Sequence, residues 1–122
     1  MLLCFAVDKC AVSPTGDRLY ITSFWYNNLL TLARDGTLLA TYTDPALRGP
    51  LGLHVTPAGQ VLVCGRRSDT VLQVGSEGES KLANLATVKD GVWGPLSVCY
   101  SSTTSSIIVG QWDDTILVFR VE

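Results

Sequence analysis

The chain has 122 residues, the length of one ordinary domain, with 47% hydrophobic and 16% charged residues and a mean hydropathy of +0.28. That balance excludes a disordered chain and implies strands buried on both faces. A net charge of −2 and a pI of about 5.2 exclude a basic nucleic-acid footprint, so any nucleic-acid contact must be local.

Taken in order, the chain opens on MLLCFAV, its longest wholly apolar run. The run is too short to span a membrane and lacks a basic flank and a small-residue cleavage site. A strand over residues 2–7 is the expectation. Ser13-Pro14-Thr15-Gly16 then marks a turn, followed by strands over 19–23 and 28–32, an Asp35-Gly36 turn and a strand over 37–43. Gly49-Pro50 opens the next stretch. Apolar runs at 51–55, 61–64 and 70–74 are separated by Pro57-Ala58-Gly59 and by the polar Arg66-Arg67-Ser68-Asp69, and a run at 81–88 follows. Gly94-Pro95 opens the last stretch, with runs at 96–100, 107–110 and 114–118. Apolar runs of four to eight residues between turn signals are strands rather than helices.

These stretches are copies of one phrase. Ser13-Pro14-Thr15-Gly16 matches Thr56-Pro57-Ala58-Gly59, and Asn27 to Leu32 matches Asp69 to Val74, at offsets of 42–43 residues. Leu96 to Tyr100, Ile107 to Gly110 and Asp114 to Val118 match the middle copy at an offset of 45. A four-stranded antiparallel meander repeated at this period predicts a β-propeller. The fold expected is therefore all-β, a partial propeller of about three four-stranded blades. Residues 2–7 would be the outer strand of a preceding blade, 8–45 and 46–90 two blades, and 91–122 a last blade without its outer strand. Three blades do not close a ring, because propellers use four to eight. The ring then needs further blades, or a second copy of the chain, each copy's residues 2–7 completing the other's last blade.

The segment Gly49-Pro50-Leu51-Gly52-Leu53-His54-Val55-Thr56-Pro57-Ala58-Gly59-Gln60-Val61-Leu62-Val63 resembles the NHL repeat, and Ser68 to Val74 looks like that repeat's continuation. Gly94 to Tyr100 through Ile116 to Phe119 is similar to the last repeat of tripartite-motif (RING, B-box, coiled-coil) proteins. The resemblance implies a six-bladed propeller in a cytoplasmic protein, a non-catalytic module selecting protein or RNA targets for a ubiquitin ligase. The chain departs from the repeat where an aspartate often ends the second strand. Ser23, Gly65 and Gly110 stand there instead. A WD-repeat scaffold is the alternative suggested by Gln111-Trp112-Asp113-Asp114, but the other copies carry no Trp-Asp pair.

Function is expected on one rim, where second-to-third-strand loops and blade-to-blade loops meet. Trp25, Tyr26, Arg48, Arg66, Arg67, Trp93, Gln111 and Trp112 all fall in these loops. Trp, Tyr and Arg dominate binding hot spots by combining large apolar area with directed donors. Rings beside guanidinium groups also suit single-stranded RNA. The competing reading of each Trp is a plug packed between blades. Asn27, Asp69 and Asp114, equivalent by the repeat, are expected to be turn-formers bonding local backbone.

Catalysis finds little support. His54, on the strand nearest the channel, is the one histidine, and its repeat equivalents are Ala11 and Cys99. A lactonase- or lyase-type propeller would need histidines and carboxylates directed into the channel from several blades. Cys4, Cys10, Cys64 and Cys99 form no CxxC pair, so zinc is not expected, nor any other cofactor, and buried free thiols in a reducing compartment are.

Overall fold

A computed structural model describes residues 8–120. Among the described residues eleven strands form three antiparallel sheets. The first is β1 (Lys9–Val12), β2 (Arg18–Ser23), β3 (Asn28–Ala33) and β4 (Leu38–Tyr42); the second is β5 (Pro50–Val55), β6 (Val61–Gly65), β7 (Thr70–Val74) and β8 (Lys81–Ala86). The third is β9 (Pro95–Ser101), β10 (Ser106–Gln111) and β11 (Ile116–Arg120), three-stranded among the described residues. Each sheet is a meander paired in chain order, and β1, β5 and β9 are the inner strands, which meet one another from blade to blade. This is the all-β propeller architecture. The strand expected over residues 2–7 lies outside the described residues.

The turns explain the meanders. Gly16 and Gly59 sit at φ 76° and 88°, and each donates its N–H to the carbonyl three residues back, at 2.9 Å to Ser13 and 2.8 Å to Thr56. Only glycine adopts that conformation without cost.

Two apolar seams hold the sheets face to face. Tyr20, Leu29 and Tyr42 of the first sheet pack on Val61, Val63, Leu72 and Val74 of the second, with Leu47 from the linker between them. Leu62, Cys64, Val71 and Ala86 form the second sheet's other face and pack on Val98, Ile107 and Val109, with Val92 from the next linker. The central strand β6 is therefore buried at all five positions, as its unbroken apolar run requires.

Strand pairing corrects one part of the repeat alignment. Val63 lies opposite Leu53, and Val109 lies opposite Val98, so Val109 is the equivalent of Val63 and the offset from β6 to β10 is 46 rather than 45. The β9–β10 hairpin is one residue longer than the β5–β6 hairpin. A one-residue slip moves every side chain to the other face. Ile107 and Val109 accordingly face back toward the second sheet, and Ile108 takes the forward position of Leu62. Gln111, rather than Gly110, stands at the end of the second strand where Ser23 and Gly65 stand in the other blades.

Candidate functional site

The linkers between blades and the second-to-third-strand loops interlock on one rim. Gly49 and Gly94 are left-handed, at φ 58° and 55°. Their carbonyls accept hydrogen bonds from the N–H of Arg66 and of Trp112, each at 3.0 Å. A Cβ on Gly49 would press on Phe24 Cε2 at 2.7 Å and Arg67 Cγ at 2.8 Å, and one on Gly94 would strike the Trp112 ring. Each glycine is thus a floor on which the rim side chains lie.

Asn27 and Asp69 differ from the expectation. Both are in the left-handed turn conformation, at φ 54° and 51°. Their side chains, however, bond the next blade rather than local backbone. Asn27 Oδ1 accepts from the Gly49 N–H at 2.9 Å and Asp69 Oδ1 from the Gly94 N–H at 2.7 Å. Both stand just before the third strand of their own blade, within reach of the next linker, and no local pattern in the sequence shows it.

On this scaffold Trp25, Tyr26, Trp93 and Trp112 are 73%, 68%, 58% and 51% exposed, values too high for plugs between blades. Trp25 meets Phe24 edge to face, with ring centroids 4.9 Å apart and planes at 85°. Arg48 and Arg67 are exposed and Arg66 half-buried; Arg66 and Arg67 sit on a single 3-10 turn, Arg66–Ser68. The Arg67 N–H donates to the Arg48 carbonyl at 2.9 Å, and the Arg48 N–H to Ser68 Oγ at 3.0 Å, which ties the three arginines into one corner. Among the described residues the one ion pair is Lys81 with Asp44, at 3.6 Å, so none of these guanidinium groups is neutralised by a carboxylate there.

Gln111 does another job. It is 7% exposed, its Oε1 accepts from the Trp93 N–H at 2.7 Å, and its Nε2 donates to Thr115 Oγ1 at 2.7 Å. It props Trp93 and does not present its amide outward. The rim thus divides into a basic corner between the first two blades (Trp25, Arg48, Arg66 and Arg67) and an aromatic corner between the last two (Trp93 and Trp112). Asp113, beside Trp112, is held below the usual carboxylate range, chiefly by the Thr115 hydroxyl it accepts from at 2.6 Å.

The channel side is a groove of about 530 Å³ lined by inner-strand residues including Lys9, Cys10, Leu53, Ser97 and Val98. Among the described residues no three of His, Cys, Asp and Glu come together as metal ligands. Among the described residues the expected burial holds for Cys64 and not for Cys10 or Cys99, and Cys4 lies outside them. Burial pushes the thiol of Cys64 up to about 12, whereas Cys10, which lines the groove, and Cys99, on β9, are exposed. On the opposite rim, a cavity of about 400 Å³ between the second and third blades is lined by Gln60, Leu62, Gln73, Tyr100 and Ile107. Its equivalent between the first two blades measures about 240 Å³ and holds the Ser76 carbonyl, which accepts from Arg18 Nη1 at 3.0 Å and Tyr20 OH at 2.5 Å.

Fold and rim together define a β-propeller fragment with a loop-built surface. No family model matches the chain, and no curated protein matches it in sequence. Solved structures do. Hydrazine synthase from Kuenenia stuttgartiensis superposes with a TM-score of 0.79 at 19% identity, over 95% of this chain and 33% of that one. A catalytically inactive virginiamycin B lyase from Staphylococcus aureus, with quinupristin, gives a TM-score of 0.64 at 15% identity, over 94% and 41% of the two chains. Its selenomethionine form gives 0.63 at 13% identity, over 92% and 40%. These are β-propeller proteins, and the likeness is one of fold. The chain spans well under half the length of each.

Proposed function

We propose that the chain is a non-catalytic recognition module that binds a protein or a single-stranded RNA through its loop rim, in a cytoplasmic protein of NHL or tripartite-motif type. The observation that carries this reading is the pairing of exposed tryptophans with unneutralised arginines on one interlocked rim. Rings of that size, held on glycine floors, offer apolar area at little entropic cost. Arg48, Arg66 and Arg67 add directed donors for carboxylates or phosphates.

A propeller lyase or hydrolase is the second reading, favoured by the likeness to virginiamycin B lyase. That chemistry would draw on His54 and on groups from blades beyond these three. The two readings separate in one experiment. Replacing Arg66, Arg67 and Trp112 together with alanine should abolish recovery of bound partners, with and without ribonuclease treatment, while leaving the circular dichroism spectrum unchanged. Equal recovery by the variant and the parent chain would remove the rim from the account.

A further inference from the structure

The two corners of the rim differ in charge. Between the first two blades, Arg48, Arg66 and Arg67 stand together with no carboxylate partner among the described residues. A Cβ on Gly49 would meet Phe24 Cε2 and Arg67 Cγ at once, so the Arg67 stem lies beside the Phe24 ring, which Trp25 meets edge to face. The exposed guanidinium is carried outward on an apolar step. Between the last two blades the sign changes. Trp112 lies over Gly94 and donates its N–H to that residue's carbonyl, and Trp93 donates its N–H to Gln111 Oε1, so both exposed rings are anchored through their backbone. The one ring–ring contact among the described residues is Phe24 with Trp25, which leaves the faces of Trp93 and Trp112 without an aromatic neighbour. Asp113 follows Trp112. It is exposed, accepts from the Thr115 hydroxyl, and has no Lys or Arg at ion-pair distance among the described residues. Residues 87–115 carry Asp90, Asp113 and Asp114 against Lys89 alone.

We propose that the rim takes a protein segment of mixed charge, which lays an acidic side chain on Arg48 and Arg67 and a Lys or Arg side chain on the faces of Trp93 and Trp112 beside Asp113. This rests on the rim reading above and selects the protein from its two partners. A carboxylate meets guanidinium groups with charge-assisted hydrogen bonds. An indole face attracts a cation through its quadrupole, and a neighbouring carboxylate adds to that attraction. The same carboxylate repels phosphate. A nucleic-acid backbone draws its affinity from cations that neutralise phosphates, and on this rim they are concentrated in one corner. A segment of a single sign therefore meets repulsion at one corner or the other, and a segment of mixed charge meets none.

The test presents the chain with an array of short peptides, grouped as mixed-charge, all-acidic and all-basic, and with oligouridylate. The parent chain should bind the best mixed-charge peptides at least about tenfold more tightly than the best of either single-sign group. Arg48→Ala with Arg67→Ala should bring mixed-charge and all-basic peptides to equal affinity. Trp93→Ala with Asp113→Asn should do the same for mixed-charge and all-acidic peptides, so that each variant loses one half of the selection and keeps the other. Oligouridylate bound as tightly as the mixed-charge peptides, and released on replacing the arginines, overturns this inference and leaves the rim as an RNA surface. All-acidic peptides bound as tightly as mixed-charge ones also overturn it, with the rim reading intact. A parent chain that captures neither probe, or variants that bind both as the parent does, overturn the inference and the rim reading together.

Discussion

Single residues carry distinct electrostatic burdens. Tyr42 is 6% exposed, and burial first, then its hydrogen bond to Asp44 Oδ2 at 2.9 Å, push its hydroxyl up to about 12. The folded chain favours the neutral phenol. The stability this lends is complete below the ordinary value of 10.0 and is lost as pH rises through about 12. Denaturant unfolding measured across that window should show stability falling with pH, and Tyr42→Phe should flatten the fall. Cys64 obeys the same sign, and as a buried thiol it is inert at neutral pH. Iodoacetamide labelling mapped by mass spectrometry should modify Cys10 and Cys99 in the native chain and Cys64 after unfolding alone. Labelling of Cys64 at the native rate would contradict its place in the seam.

Elements are set by where backbones approach. At Gly52 a Cβ would collide with the Leu96 carbonyl and lie 2.6 Å from Ser97 Cα, both backbone, because β5 and β9 converge toward the axis. Gly52→Ala should therefore cost about 1–3 kcal/mol by overpacking, read as a shift in urea midpoint at constant slope. The strands themselves were legible in sequence, since their apolar runs and their Gly and Pro turns are local signals. The β10 register was not. The extra residue in the β9–β10 hairpin has no turn glycine to mark it, and Ser105 takes the left-handed position at φ 50°. Side-chain partners across blades were equally hidden. Asn27 and Asp69 carry turn chemistry that accounts for them locally, and Gln111 differs from an exposed amide only through contacts made after folding.

At the scale of the whole molecule, stability lies in the seams, and the recognition surface proposed above lies on their rim. Leu72 is wholly buried in the first seam, so Leu72→Ala should cost about 2–5 kcal/mol. Ile116, on the open face, should tolerate alanine within about 0.5 kcal/mol. The repeat made the propeller readable because every blade restates the same turns. The division of the rim into basic and aromatic corners was readable only as composition, because its geometry depends on which loops interlock. The most direct test of the account compares two variants in binding to the partner recovered by the parent chain. Replacing Arg66, Arg67 and Trp112 with alanine should weaken that binding at least about tenfold, which corresponds to about 1.4 kcal/mol, while His54→Ala leaves it unchanged. Loss on replacing His54, with binding intact in the rim variant, would move function from the rim to the channel.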